Sequence, residues 1–205
     1  MNSPDAGSTC VYLVRHGETA WSLSGQHTGA TDIALTAHGV QQARALAPQL
    51  RDIAFAHVLT SPAERARHTC GLAGFAQAAV CVPDLREWDY GAYEGLRSAD
   101  VRKTRPGWSV WRDGCPGGDS VEDILARADR VIAALRAMAG PVLVFSHGQF
   151  GSCLGARWIG LTIGQAQHLQ MDPAAISVLG FSPTHPETPV IARWNVPPSP
   201  ETRDA

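Results

Sequence analysis

The chain of 205 residues has the length of one domain, and its 44% hydrophobic and 18% charged residues suit a globular protein with a sizeable core. A formal net charge of −2 and dispersed arginines give no support to binding of nucleic acid or of an anionic membrane. The longest apolar stretch, VIAALRAMAGPVLVF, is interrupted by Arg136 and by Gly140-Pro141, so we expect no membrane-spanning segment.

The termini and the cysteines indicate the setting in which the chain folds. The N-terminal MNSPDAGSTC is polar and lacks an apolar signal core, and we expect residues 1–9 to be flexible. Five scattered cysteines without a CxxC pair or metal-binding spacing are interpreted as reduced thiols of a cytoplasmic protein. The tail 196–205 is Pro-rich and expected to be disordered, which leaves residues 10–195 as a single domain.

The first part of the chain alternates strands with helices. LTAHGVQQARALAPQL predicts a helix that is capped by Thr36, because its apolar residues recur at helical spacing. Pro62 is expected at the first position of a second helix, which runs to about Gly74. Strands are predicted before, between and after these helices, at residues 10–15, 55–61 and 79–82.

The middle of the chain has a weaker pattern. Residues 84–118 are rich in Gly, Trp, Arg and Pro, which indicates a long loop with a short helix near 97–103. The clearest helix of the sequence follows at 119–140, with Asp119 or Ser120 as its cap and acidic residues in its first turn.

The last third predicts one helix, from about Gln149 to Gly160, and strands at 141–146, 175–181 and 189–194. Strands that alternate with helices predict an α/β fold with three αβα layers and a mostly parallel central sheet. In such sheets ligands bind beyond the carboxyl ends of the strands.

Similar motifs follow three of the predicted strands. RHG occupies residues 15–17 after the first strand, and SHG occupies 146–148 at the end of the buried strand VLVFS. Arg65 lies one turn into the helix after a third strand. We expect these strand ends to bring two arginines and two histidines to one crevice, where helix N-termini add N–H donors. Because a guanidinium group can bind two phosphate oxygens at once, the pattern indicates a phosphate site.

Histidines in a phosphate site can also carry out chemistry. A neutral imidazole is a nucleophile near pH 7, and cationic neighbours stabilise charge on a transferring phosphoryl group. Glu87, in LREWDYGAYEGL, could supply the proton for the leaving oxygen, and we expect the nearby aromatic rings to favour its protonated form. The residues alone do not decide between Glu87 and Asp89, and each of these side chains on its own has an ordinary structural interpretation.

Four segments in order, LVRHGET, SPAERARHT, EWDYGAYEG and SHG, resemble the histidine phosphatase superfamily in its phosphoglycerate mutase-like branch. The resemblance runs from about residue 11 to 194. It implies a phosphohistidine intermediate formed on the nucleophile His16, an acid/base role for Glu87, and neither metal nor cofactor. It implies phosphate-pocket roles for the remaining catalytic residues, Arg15, Arg65 and His147.

The same resemblance implies substrate-binding roles for Ser22, Thr28, Gly29, Tyr90 and Gly148. Ser22 stands where the family often has Asn, and its shorter hydroxyl either contacts the phosphate or leaves that role to Ser24 or a water molecule. WRDGCPGGDS and WDYGAYEG are similar to the subgroup of histidine-type sedoheptulose-1,7-bisphosphatases.

The expected function is hydrolysis of a phosphomonoester, a small sugar phosphate or bisphosphate, and the expected partner is that small molecule. The alternatives are a phosphoglycerate mutase-type transfer and a phosphoprotein phosphatase. Only 59 residues (88 to 146) separate Glu87 from His147, which favours an open mouth and water as the acceptor. A non-catalytic binding module is disfavoured because the nucleophile His16 and the acid Glu87 are both present, and a homodimer is compatible with the sequence.

Basic residues after the acid motif allow two interpretations. They either select a second anionic group on the substrate or belong to a solvated loop, and the sequence leaves both open. The residues are Arg97, Arg102, Lys103 and Arg105.

Overall fold

The computed structural model describes residues 9–198, which contain one six-stranded sheet in the order β3-β2-β4-β1-β5-β6. Its strands are β1 (Cys10–Arg15), β2 (His57–Thr60), β3 (Ala79–Cys81), β4 (Pro141–Ser146), β5 (Ile176–Phe181) and β6 (Pro189–Val196). β5 is antiparallel to both of its neighbours, and the other pairs are parallel. The prediction of a mostly parallel sheet is therefore confirmed.

Helices connect most of these strands and pack against the two faces of the sheet. They are α1 (Ala20–Ser24), α2 (Ala37–Arg44), α3 (Ala47–Leu50), α4 (Glu64–Leu72), α5 (Ser98–Thr104), α6 (Val110–Asp113), α7 (Val121–Arg136) and α8 (Gly148–Trp158). Short 3-10 turns lie at Pro83–Leu85, Gly91–Tyr93 and Ile163–His168.

The central strand β4 shows why both faces of the sheet need helices. Val142 and Val144 point into a core that contains residues of α7 and α8, whereas Leu143 and Phe145 point into a second core with residues of α3 and α4. All four side chains are fully buried. A strand buried on both faces has a continuous apolar sequence, and the apolar run in PVLVFS therefore predicts this strand. The three-layer αβα prediction is confirmed.

Parallel pairing brings the carboxyl ends of three strands together. Arg15 at the end of β1 lies opposite Ser146 at the end of β4. β2 pairs with the other side of β4, and the Ser61 N–H donates to the Phe145 carbonyl at 2.9 Å. The RHG motif, the SHG motif and Ser61 consequently lie at one edge of the sheet.

The prediction of a helix after Thr36 is correct for the start of the helix, but two helices, α2 and α3, replace the single predicted one. The Thr36 hydroxyl accepts from the Gly39 N–H at 2.9 Å, as the cap prediction requires. The helix is interrupted after α2 because Pro48 has no N–H to continue the hydrogen-bond ladder. Pro62 is not the first helical residue either, since α4 begins at Glu64 and Ala63 takes the extended capping conformation.

Ser120 resolves the open choice of cap for the long helix. Its hydroxyl accepts from the Asp123 N–H at 3.1 Å, and Asp119 instead forms an ion pair with Arg127. The helix ends at Arg136, earlier than predicted. The long loop contains the predicted short helix as α5 and also α6, which the sequence pattern did not reveal; α1 was likewise not predicted.

The ends of the predicted domain fall at the limits of the description. Thr9 is buried and its hydroxyl donates to the Met138 carbonyl at 2.8 Å, and β6 extends to Val196. The predictions of a flexible N-terminus (1–9) and a disordered tail (196–205) fall mostly on residues 1–8 and 199–205, which lie outside the described part; Thr9 and Val196, at their inner ends, belong to the ordered domain. Within residues 9–198, no helix combines the length and the apolar character needed to cross a bilayer.

Candidate active site

His16 lies directly after β1 and is only 4% exposed. Its Nδ1 is 2.8 Å from the Gly17 carbonyl oxygen, and since a carbonyl can only accept, Nδ1 carries the hydrogen. The electron pair on Nε2 is then available for attack. Burial, followed by the positive charges of Arg15 and Arg65, holds the pKa of His16 well below its ordinary value. The ring is therefore neutral at physiological pH.

His147 is the cap residue of α8, and its ring centroid lies 5.3 Å from that of His16. Its Nε2 is 2.7 Å from the Ser61 hydroxyl, which fixes the orientation of the ring. Burial, followed by the charge of Arg65, holds the pKa of His147 well below the usual range. Its Nδ1 is buried without a partner among the described residues, which leaves one ring nitrogen for a bound group.

Arg15 extends from the end of β1 beneath the start of α8. One terminal nitrogen donates to the Met171 carbonyl at 2.5 Å, while Nε is buried without a partner in the described part of the chain. The guanidinium packs so closely on Gly148 that a Cβ there would lie 3.1 Å from Nε. Gly148 thus makes room for the arginine.

Arg65, in the first turn of α4, is 1% exposed and is held by main-chain oxygens. Its terminal nitrogens donate at 3.0 Å to the carbonyls of Thr28, Gly29 and Thr31. Its Nε has no partner among residues 9–198. The segment expected to contact substrate therefore also orients this arginine.

Glu87 lies in the crevice at the start of α8 and is 7% exposed. Its Oε1 accepts from the Trp88 and Phe150 N–H groups at 3.0 and 2.7 Å, and its Oε2 accepts from the Gln149 N–H at 3.0 Å. The sequence predicts aromatic rings around this carboxylate, but its oxygens contact three backbone N–H donors instead. Two N–H groups of α8, expected to serve the phosphate, hold Glu87 instead.

A buried ion pair supports the segment that carries Glu87. Arg127 donates to Asp119 at 2.9 Å and also to the carbonyls of Asp84, Arg86 and Glu87. The Arg127 and Asp119 side chains are 2% and 9% exposed. One arginine of α7 therefore ties three carbonyls of an otherwise irregular segment to the body of the protein.

We expect Arg127→Met to lower the free energy of unfolding by about 3–5 kcal/mol, because three carbonyls would lose their donor and the buried Asp119 would keep only the half-exposed Arg86 as a cation. Urea denaturation measures the loss. Arg130→Met, on the same helix but in an exposed pair with Asp84, is the matched control and should cost far less. Equal losses in the two variants would contradict the structural role of the buried pair.

An open cleft of about 380 Å³ lies above these groups. Seven of the ten residues predicted from the sequence line it: Arg15, His16, Ser22, Thr28, Glu87, Tyr90 and Gly148. Arg65, His147 and Gly29 lie behind the lining: the first two are buried beneath it, and the Gly29 N–H donates to Glu94. Asp89, the alternative acid, accepts from the Gly91 N–H within a turn and does not line the cleft.

Ser22 lines the cleft, but its hydroxyl already has local partners. It accepts from the Thr19 N–H at 2.9 Å and donates to the Thr19 carbonyl at 3.0 Å. Ser24, the suggested substitute, is exposed and bonds to Gln26. Ser22 therefore completes the capping box at the start of α1, whose N-cap residue is Thr19.

The basic residues after the acid motif are directed elsewhere. Arg97 and Lys103 both pair with Asp100, at 2.8 and 2.7 Å, and Arg102 donates to the Trp108 carbonyl at 2.9 Å. Neither these three nor Arg105 line the cleft.

Several cleft residues were not found from the sequence: His27, Trp111, Gln149, Gln170 and Asp172. They come from separate loops and helix starts and form no motif, so no signal in one sequence marks them. Across residues 9–198, no cluster of three or more His, Cys, Asp or Glu side chains has a metal-binding arrangement.

Together these groups can bind and transfer a phosphoryl group. A neutral imidazole with a free Nε2 lies in the field of two buried guanidinium groups, and a carboxylate lines the same cleft. Cations in a water-poor site stabilise the charge that develops on phosphoryl oxygens.

Comparisons with known proteins agree with this geometry. The family model of the histidine phosphatase superfamily (branch 1) matches residues 11–197. An acid phosphatase of Mycobacterium tuberculosis is 41% identical over 175 residues, which cover 83% of this chain and 86% of the relative. A sedoheptulose 1,7-bisphosphatase of Saccharomyces cerevisiae is 36% identical, with 78% and 70% covered.

A solved structure of an open reading frame product from Mycobacterium tuberculosis superimposes with a TM-score of 0.86 at 36% identity, covering 93% of this chain and 98% of that one. Sequence, fold and the paired histidines at the strand ends thus lead to one assignment. The chain belongs to the histidine phosphatase superfamily, branch 1.

Proposed function

We propose that this protein hydrolyses a phosphomonoester of a small metabolite through a phosphohistidine formed on His16. The observation that carries the proposal is the neutral, buried His16 ring, whose Nε2 is free because Nδ1 donates to the Gly17 carbonyl. An uncharged imidazole beside two arginines is poised to attack phosphorus without first losing a proton.

In the first step, His16 Nε2 attacks the phosphorus atom in line with the ester oxygen. The N–P bond forms while the bond from phosphorus to the leaving oxygen breaks, and Glu87 gives its proton to that oxygen. The alcohol departs and the phosphoryl group remains on His16.

In the second step, water attacks the phosphohistidine. Glu87, now ionised, takes a proton from the water as its oxygen bonds to phosphorus, and the N–P bond breaks. Inorganic phosphate leaves, and both His16 and Glu87 return to their starting states.

Arg15, Arg65 and His147 stabilise the transferring group in both steps. The two arginine Nε atoms and the His147 Nδ1 are buried without partners among residues 9–198, which leaves their hydrogen-bonding capacity available to a bound phosphoryl group and supports this role. Two fixed positive charges perform the charge neutralisation that many phosphoryl-transfer enzymes obtain from Mg²⁺. We therefore propose that turnover needs no metal.

Hydrolysis is favoured over mutase-type transfer by the shape and lining of the cleft. A mutase must exclude water and hold a phosphorylated intermediate, which requires further cations. The cleft is open, and Arg15 is the one Lys or Arg among its described lining residues. Water therefore has access to the phosphohistidine.

We also propose that the protein is cytoplasmic. All five cysteines lie within the described residues and all are free thiols. Thiols that stay reduced are typical of that compartment. The mechanism places every catalytic group on one chain and does not depend on a homodimer.

A panel of phosphorylated metabolites assayed in excess chelator tests the proposal. We expect release of inorganic phosphate to continue at an unchanged rate in chelator, because the arginines supply the positive charge. Release that requires added Mg²⁺, or activity on phosphopeptides far above that on metabolites, would contradict it.

A further inference from the structure

The cleft wall away from His16 consists mainly of uncharged polar and aromatic side chains. Its described residues include Trp111 and four glutamines, namely Gln26, Gln149, Gln167 and Gln170. His27 also lines the wall, and burial, followed by the charge of Arg102, lowers its pKa to about 4, so it is neutral at pH 7. A second phosphate or a carboxylate on the substrate would find no cation in this part of the described lining.

Asp172 adds a negative charge to the same wall, and its position is fixed. Its backbone N–H donates to the Asn195 side-chain oxygen at 2.6 Å, and its Oδ2 accepts from the Asn195 Nδ2 at 2.8 Å. Asn195 has a φ of 55°, an uncommon conformation for a residue with a side chain. The residue that holds Asp172 therefore has a backbone conformation that is less favourable than the extended or helical one.

The segment that carries Asp172 is also tied to the catalytic strand. The Met171 carbonyl accepts from Arg15, and the Ala174 N–H donates to the His16 carbonyl at 3.1 Å. The backbone on both sides of Asp172 is therefore anchored to the strand end that carries the nucleophile. Its charge acts on Arg15, where it opposes the lowering of the pKa by burial.

This lining selects by charge as well as by shape. A glutamine amide both donates and accepts, which matches hydroxyl groups, and a carboxylate accepts from a hydroxyl. The same carboxylate repels a second anion on the substrate, because Arg15, the one Lys or Arg in the described lining, is assigned to the reacting phosphoryl group. Trp111 offers an apolar face to a ring or carbon chain.

We infer that the substrate is a monophosphate whose leaving group is uncharged and rich in hydroxyl groups, and that Asp172 is the specificity residue that disfavours a second anionic group. The inference rests on the proposed function and narrows it, because it selects sugar or polyol monophosphates over bisphosphates and phosphorylated carboxylic acids.

Glycerol 3-phosphate and 3-phosphoglycerate are suitable probes, because they differ by a hydroxymethyl group in place of a carboxylate. We expect wild-type kcat/KM to be at least tenfold higher for glycerol 3-phosphate. Asp172→Asn keeps an acceptor for Asn195 and removes the charge. It should lower the ratio of kcat/KM for glycerol 3-phosphate to kcat/KM for 3-phosphoglycerate by about threefold to tenfold. Asp52→Asn, the same change at an exposed acid outside the cleft, should leave the ratio unchanged.

Equal or better use of 3-phosphoglycerate by the wild type, or an unchanged ratio in Asp172→Asn, would overturn the inference. Fructose 6-phosphate and fructose 1,6-bisphosphate extend the comparison to a second phosphate. Where turnover is slow, competitive inhibition of p-nitrophenyl phosphate hydrolysis gives the ratio of binding affinities, which should change in the same direction. Failure of the wild type to hydrolyse p-nitrophenyl phosphate at all would count against the proposed function itself, which separates the two outcomes.

Discussion

His16→Ala is expected to lower kcat/KM for phosphomonoester hydrolysis at least about 10⁴-fold, because the imidazole beside the two arginines that accepts the phosphoryl group is lost. The substitution removes a small buried side chain next to Gly17 and leaves both arginines in place, so substrate should still bind. Steady-state assays with p-nitrophenyl phosphate measure the loss, and circular dichroism checks that the variant is folded.

His185→Ala is the matched control, since His185 is exposed in the turn before β6 and lies outside the cleft. It should retain wild-type activity. Activity within tenfold of wild type in His16→Ala would show that another group accepts the phosphoryl unit or that water attacks the ester directly.

Glu87→Gln is expected to lower kcat about 10²–10⁴-fold on alkyl phosphates, because the leaving alkoxide would depart without a proton. The loss should be much smaller on p-nitrophenyl phosphate, whose leaving group needs no protonation. Comparing glycerol 3-phosphate with p-nitrophenyl phosphate in wild type and variant isolates the acid step from substrate binding.

Asp89→Asn distinguishes the two carboxylates that the sequence left open. Asp89 serves the turn at Gly91 and does not line the cleft, so its variant should keep the wild-type ratio between the two substrates. A loss that depends on the leaving group in Asp89→Asn but not in Glu87→Gln would show that Asp89, and not Glu87, donates the proton.

The sheet was predictable from the sequence because its signals are local. Apolar runs such as PVLVFS mark strands buried on both faces, and helical spacing with a cap at Ser120 marks α7. α1 and α6 were missed because helices of five and four residues are too short to show a periodic pattern. Pro48 was read as part of a helix that its missing N–H interrupts.

That the proposed catalytic groups lie close together was predictable for a related reason, since RHG and SHG each lie at a strand end. Because β1 and β4 pair in parallel, their carboxyl ends are neighbours, and residues at the two strand ends lie close together in space. What surrounds each group was not predictable: the carbonyls that hold Arg65 and the backbone donors on Glu87 are long-range main-chain contacts, which leave no trace in residue identity.

The cleft wall was the least predictable part. Gln170 and Asp172 lie far along the chain from His16 and reach it only because β5 returns beside β1. One of the two interpretations of the basic segment near Arg102 gave this wall a positive charge, but Arg102 and Lys103 bond within their own segment. Substrate preference therefore depends on tertiary contacts, whereas the phosphoryl chemistry depends on motifs.

The central claim is that the phosphoryl group passes through His16. Wild-type protein should be mixed with ³²P-labelled substrate, quenched in alkaline detergent within the first turnover, and digested with trypsin. Cleavage after Arg15 and Arg44 gives peptide 16–44, which contains His16, His27 and His38, so fragmentation must locate the label. The account predicts an acid-labile phosphoryl group on His16 and none in His16→Ala. Label on His147, or labelling that is undiminished in His16→Ala, would contradict it.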